Sequence, residues 1–481
     1  MNESNDNLNS SFFENGSMKE LYREVRETYK CNDFPWVIGY SGGKDSTATV
    51  QIVWYALASL SSQELTKPIF IIASDTLVET PPVVEQINKT LELMEEGARK
   101  QGLPFHVQKV FPRVEDSYWV NLIGKGYPAP TQRFRWCTER LKIKPANTFI
   151  LERAAEFGEV VMVLGARKSE SMSRAQVMGK RTQLPGSRLN RHSSLPRAYV
   201  YTPIEDFTID DVWSYLDIYD SPWGGDNREL ASLYRRSNLS GECPLVIDTN
   251  TPSCGNSRFG CWVCTVVEQD RSMQALIQHG EEWMEPLLEF RETLAMTQIP
   301  ERKLEFRDFK RRNGQAIVRE DGRFIPGPYK FEYRKTILRR LLKTQVELQK
   351  DGPDPDLALI SAPELHEIRR IWRTEESDWE DSVPKIYREV VGEDLDWLQD
   401  ELGTFSSFER NILDEICRNQ AIPAQLVTRL IDIEQKLQGM GRRSGIYNEV
   451  HRVFSEEWGK KDEILRQASA EKTRQMKLGL D

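Results

Sequence analysis

No stretch of this chain is long and apolar enough to read as a membrane span; its longest apolar runs have the length of single strands or helices. The N-terminus, MNESNDNLNSSFFENG, has neither a basic n-region nor an apolar h-region, so it reads as a polar lead-in and not as a secretion signal. Both absences lead us to expect a cytoplasmic protein with no membrane partner. A positive charge excess is missing too: 65 Lys and Arg face 74 Asp and Glu, a formal net charge of -9. That balance argues against indiscriminate binding to nucleic acid. There is no clear internal repeat and no long low-complexity tract. Cysteine is scarce, seven in 481 residues, and in a reducing compartment such cysteines suit metal or sulfur chemistry better than disulfides.

What is present is a soluble balance, 39% hydrophobic and 29% charged, over a length sufficient for more than one domain. After an opening helix (SMKELYREVRETY) the first third alternates strand and helix signals. Strands are expected at 37–40, PIFIIASDT, FHVQKVFP and VVMVLGA. Helices are expected at 47–60, PPVVEQINKTLELMEEGARKQG and KIKPANTFILERAAEFG. This predicts an α/β fold, a mostly parallel sheet flanked by helices, with ligands at the carboxyl ends of the strands. From Ser221 to Cys264 the chain is rich in Gly, Pro, Asn and Ser and holds four of the seven cysteines. It reads as too polar to pack as a core, so a metal or cluster would organise it. Beyond it lie successive charged helices. The expected organisation is therefore 1–220, 221–300 as a Cys-rich segment, and 301–481 as a helical C-terminal extension.

Within the first strand-to-helix turn, VIGYSGGKDST sets an apolar run before two adjacent glycines. Gly42 and Gly43 permit a tight turn and close backbone approach, and the helix expected from Thr47 would turn its free N–H groups and positive dipole end toward an anion. Lys44 would neutralise phosphate charge, Ser41, Ser46 and Thr47 would donate hydrogen bonds, and Asp45 would hold Mg2+ directly or through water. The Walker A pattern is not met. The loop resembles instead the SGGxDS loop of the PP-loop ATP pyrophosphatases, which implies cleavage of ATP between its α and β phosphates with adenylation of a substrate.

Further pieces follow in order. Asp75, at the end of the second strand in ASDTLVETP, suits a ribose hydroxyl or magnesium, or simply caps the following helix. TQRFRWCTERLKIKP (131–145) clusters Arg133, Arg135, Arg140, Lys142 and Lys144 about Cys137. Such bases would hold anions and draw the thiol toward a reactive thiolate, unless Cys137 is merely a buried residue at a helix start. LGARKSESMSRA carries Arg167 and opens a basic tract running through Arg174, Lys180, Arg181, Arg188 and Arg191 to Arg197, against the single acid Glu170. These segments, with YTPIEDFTIDDVWSYL and its structural Asp211, Val212 and Trp213, resemble the phosphoadenosine phosphosulfate reductase branch of the PP-loop proteins.

Cys243, Cys254, Cys261 and Cys264 are spaced C-x10-C-x6-C-x2-C. Four thiolates in one short segment can surround a single centre, zinc or a [4Fe-4S] cluster, and the cubane fits sulfur chemistry better. The combination resembles the DndC family, iron-sulfur ATP pyrophosphatases of DNA phosphorothioation systems. The E-C-G-x-H tail of the phosphoadenosine phosphosulfate reductases is absent, as is the tandem Cys-Cys of the adenylylsulfate reductases. The resemblance implies ATP, Mg2+ and a cluster as cofactors. It also implies catalytic roles for Lys44, Asp45 and Cys137, nucleotide contacts from Ser41 to Ser46, Asp75 and Arg167, DNA as substrate, a cysteine desulfurase as sulfur donor, and further complex subunits as partners. Rival expectations are sulfonucleotide reduction, RNA thiolation, and a non-catalytic subunit of a DNA-modification complex.

Overall fold

The computed structural model describes residues 11–170, 176, 187–237, 260–397, 407–420, 422–437, 445–459, 461, 463–467 and 470. The chain folds as two compact units, one made of Met1–Arg113 and Pro130–Leu288, the other of Val114–Ala129 and Glu289–Asp481. Residues 114–129, which sequence alone leaves inside the first α/β stretch, thus belong with the C-terminal helices.

Six strands build the first unit: β1 (Trp36–Gly39), β2 (Ile69–Ser74), β3 (Phe105–Val110), β4 (Val160–Val163), β5 (Asn190–Arg191) and β6 (Ala198–Tyr201). They lie in the order β3-β2-β1-β4-β6-β5, parallel throughout except for β5 against β6. The expected parallel sheet is there, with β5 and β6 added. β1, β4 and β6 are buried at every position, as a sheet covered on both faces requires. One face packs against α1 (Met18–Lys30), α2 (Lys44–Ala58), α3 (Pro81–Gln101) and α5 (Ile209–Ile218); the other packs against α4 (Lys144–Phe157) through Ala146, Ile150 and Ala154. α2 is buried almost all round, which is why its sequence, KDSTATVQIVWYALA, shows little polar face. Trp54 from this helix stacks on Phe105 at 4.5 Å and meets the edge of Trp223 at 5.5 Å.

The chain steps outward from β1 to β2 and β3 and then returns to the far side of β1 as β4. That reversal opens a crevice beyond the carboxyl ends of β1 and β4, the place where such sheets receive ligands.

Part of the segment expected to be too polar for a core does pack. Trp223 is buried, and α6 (Asn227–Ser237) buries Leu230, Leu233 and Tyr234, apolar residues recurring on one helical face. Asp211 is structural, as read: it completes a capping box with Thr208 at the start of α5 and accepts from the Phe12 N–H at 2.9 Å.

In the second unit α7 (Phe331–Asp351) and α8 (Ala362–Glu375) pack with the 114–129 excursion, and α9 (Ser382–Val391) packs on both helices. Trp119 donates to the Leu359 carbonyl at 2.6 Å, Trp372 to Ile123 at 3.0 Å, and the buried Arg334 to Gly124 at 2.9 Å while pairing with Glu376. The C-terminal region is therefore helical, as expected. Among the described residues no helix is long and apolar enough to cross a membrane.

Lys67, before β2, is buried against Tyr29 and Trp36, with its ammonium 2.6 Å from the Asn32 carbonyl. Burial pulls its pKa down from 10.5 to about 8. Between those values the unfolded chain holds a proton that the folded chain has lost, so this group makes stability rise with pH through that window. The gap in melting temperature between Lys67→Met and the unaltered protein should be widest below pH 8 and close toward pH 10.5. A gap independent of pH would contradict the assignment.

Candidate functional site

The SGGKDS loop lies at the end of β1, but α2 begins at Lys44 and not at Thr47. Lys44, Asp45 and Ser46 are thus the first helical turn. The reason is local: the Ser46 and Thr47 hydroxyls both donate to the Gly43 carbonyl at 2.9 Å, and Gly43 caps the helix without a side chain of its own. Gly42 has φ +72, and a Cβ there would come within 2.5 Å of Ile87, so only glycine fits. Ser41 and Ser46 join through their hydroxyls at 3.0 Å.

Arg167, just after β4, reaches across the crevice. Its Nε donates to Asp45 Oδ1 at 2.6 Å, while Lys44 Nζ donates to Asp45 Oδ2 at 2.9 Å. Both cations are almost fully buried. The close packing is possible because Gly165 has no Cβ; one there would lie 2.8 Å from the Asp45 carbonyl. Two buried positive charges beside helical N–H groups form a cationic cradle, compensated by Asp45 and, at Arg167, also by Glu170 at 3.9 Å.

The C-x-x-C pair docks on the loop after β2. Glu79 and Cys261 form an antiparallel bridge, Trp262 N–H donates to Val78 O at 3.0 Å, and Thr80 donates twice to the Gly260 carbonyl. Buried Trp262 and Val263 anchor the turn, which closes through Cys264 N–H to Cys261 O at 3.0 Å. The Thr76 hydroxyl lies 3.4 Å from Cys261 Sγ. Cys137 faces the same place, next to Cys264, with Lys142 close to both Cys137 and Cys261 and 3.7 Å from Glu79 Oε1.

The thiolate expected at Cys137 is not what this pocket favours. Burial pushes its thiol up to about 11, the neighbouring Cys264 adds to the rise, and Lys142 offsets only part of it. Cys261 is likewise raised to about 12, chiefly by burial, and the Glu79 carboxyl is raised for the same reason. Desolvation outweighs the nearby bases that sequence makes conspicuous.

Asp75 sits on this loop as well. Its carboxylate accepts from the Leu77 N–H at 2.9 Å and lies 3.5 Å from Lys109 Nζ, so it shapes its own turn. The structure therefore joins Ser41 to Ser46 with Arg167, and joins the Asp75 loop with Cys137, Cys261 and Cys264. Cys243 and Cys254 lie outside the described residues, as do Arg174, Lys180 and Arg181. Among the described residues no three Cys, His, Asp or Glu side chains are grouped to hold a metal ion. The C-x-x-C turn presents Cys261 and Cys264 on the loop after β2, with Cys137 beside Cys264. Much of the basic tract is paired internally: Lys168 with Glu205 and Asp206, Arg188 with Glu24. Sequence reasoning passed over Thr76 and Tyr234. Neither stands in a motif; what brings them to the site is the tertiary packing.

A mostly parallel sheet whose switch point is lined by an SGGKDS loop is an α/β fold of the PP-loop kind. Residues 35–267 match the model of the phosphoadenosine phosphosulfate reductase domain family. An uncharacterized protein of Methanocaldococcus jannaschii is 24% identical over 271 residues, covering 56% of this chain and 44% of that protein. The chain thus spans less than half the length of that curated relative. Two solved structures are similar at greater distance. One is the U34-tRNA thiolase NcsA from Methanococcus maripaludis with its [4Fe-4S] cluster, at 12% identity and TM-score 0.26, covering 45% of this chain and 72% of that one. The other is the Candida glabrata FMN adenylyltransferase in complex with FMN and an ATP analogue, at 13% identity and TM-score 0.25, covering 50% and 64%.

Asp45→Ala would leave Lys44 buried without its carboxylate and Arg167 with only Glu170, 3.9 Å away. Urea denaturation should show a loss of about 3–5 kcal/mol, and adding Lys44→Met should recover part of it by removing one uncompensated charge. A loss under about 1 kcal/mol would mean that water already screens the pair.

Proposed function

We propose that this chain adenylates a substrate oxygen with ATP, releasing pyrophosphate, and that a sulfur nucleophile then displaces AMP from the activated centre. The acceptor in this reading is a non-bridging oxygen of a DNA phosphodiester, so that the outcome is DNA phosphorothioation. The observation that supports the ATP step is the convergence of buried Lys44 and Arg167 on Asp45 beside the glycine loop; the DNA acceptor rests on the resemblance to the DndC family. Such a cradle stabilises charge on a departing pyrophosphate without having to reorganise water.

Lys44 and Arg167 would hold the phosphates, and the first-turn amides of α2 would orient them. Both Asp45 oxygens are engaged by cations, so Mg2+ fits there once phosphate charge draws Lys44 away. The four late cysteines would hold the [4Fe-4S] cluster, which supplies a place to bind or relay sulfur. Cys137, beside Cys264, is the alternative carrier. Its raised thiol would have to lose its proton to take the outer sulfur of a cysteine desulfurase persulfide, whose own cysteine leaves as the thiolate. After that sulfur attacked the activated phosphorus, a second thiol would cleave the S–S bond by forming a disulfide with Cys137. Internal pairing of Lys168 and Arg188 leaves fewer bases for a DNA backbone, which favours a complex in which other subunits share DNA binding.

Mass spectrometry of DNA and tRNA nucleosides, from cells expressing the full chain with its partner subunits, tests the acceptor. Sulfur should appear in DNA and fall about 100-fold or more with Lys44→Ala. Sulfur in tRNA alone, or sulfite released from a sulfonucleotide, would overturn the assignment, and modification surviving Lys44→Ala would point to a non-catalytic subunit. In anaerobically purified protein we expect iron and sulfide that Cys261→Ser depletes; stoichiometric zinc in colourless protein would remove the cluster from the account.

A further inference from the structure

Tyr234, on α6, stands in the phosphate cradle. Its hydroxyl accepts from the Lys44 N–H at 3.1 Å, the first amide of α2, and Lys44 Nζ lies 5.6 Å from its ring centroid. The residue is 6% exposed and its ring meets the edge of Trp213 at 5.0 Å. α6 is held at its start by Asn227, which donates to the Leu216 and Tyr219 carbonyls at 2.8 and 2.9 Å and accepts from Gln51 at 2.7 Å. The ring is therefore carried to the loop by an anchored helix. Burial raises the hydroxyl well above its ordinary pKa, so it meets the amide as a neutral acceptor.

We infer that Tyr234 sets the affinity of this site for polyphosphate: its hydroxyl takes the position of a phosphate oxygen on the Lys44 amide and must leave before a nucleotide can bind. This rests on the reading of the loop as a nucleotide site. A neutral hydroxyl is a weaker acceptor than a phosphate oxygen, so the exchange is downhill, yet each binding event gives up the hydrogen bond that Tyr234 made. The hydroxyl satisfies the amide of the cradle, while Asp45, helped by Glu170 at Arg167, satisfies its cations.

The test is calorimetric titration of the full chain with inorganic pyrophosphate and with a non-hydrolysable ATP analogue, for the unaltered protein, Tyr234→Phe and Lys44→Ala. Removing the competing hydroxyl should tighten binding about three- to tenfold in Tyr234→Phe, whereas Lys44→Ala should abolish it. Weaker binding by Tyr234→Phe would make the hydroxyl a direct phosphate ligand, and unchanged binding would make the ring mere packing; either overturns the inference while leaving the nucleotide site intact. No binding by the unaltered protein, or equal binding by Lys44→Ala, would overturn the nucleotide reading and this inference with it. Hydrogen exchange of the unaltered protein gives a check that needs no variant: pyrophosphate should speed exchange across residues 230–237, and slowed or constant exchange there contradicts displacement.

Discussion

The Asp45 carboxylate, shared between Lys44 and Arg167, is the constraint on which the site is built. It joins the element after β1 to the element after β4, across the point where the sheet reverses its strand order. Without that carboxylate Lys44 would be buried with no carboxylate beside it and Arg167 would keep only Glu170, 3.9 Å away, a cost above that of an ordinary surface pair. With it, the cradle holds its positive charge in place before any ligand arrives. Gly165 and the buried α2 are packed to allow this approach, so the demands of the core and of the site coincide.

A second face grows from β2. The loop Asp75 to Thr80 binds the C-x-x-C turn through backbone bonds, and Cys137 joins it from the segment leading into α4. The residues of the glycine-loop cradle and those of the cysteine-bearing turn thus arise from the ends of neighbouring strands of one sheet. Such a layout suits a two-step reaction in which one strand end activates an oxygen and the next supplies the atom that replaces it.

The phosphate loop was legible because its signals are local: an apolar strand, two glycines, then hydroxyls and a lysine. The α/β alternation was legible for the same reason, through periodicity. β6, only AYVY before a proline, is too short for a period to show. Cys137 misled because adjacency of bases in sequence says nothing of desolvation, which prevails in the folded pocket. The stretch after Ser221 looked too polar for a core because its few apolar residues, Trp223, Leu230, Leu233 and Tyr234, pack only once α6 forms. Tyr234 was invisible for a deeper reason: it meets Lys44 across 190 residues of chain, and no local pattern encodes that contact.

Phosphorus-31 NMR of ATP incubated with the full chain, magnesium, an acceptor DNA, and a cysteine desulfurase with cysteine and a thiol reductant as the sulfur source tests the central claim most directly. The account requires AMP and pyrophosphate to appear together in equal amounts. ADP with orthophosphate, or intact ATP under conditions where the DNA becomes modified, would contradict it.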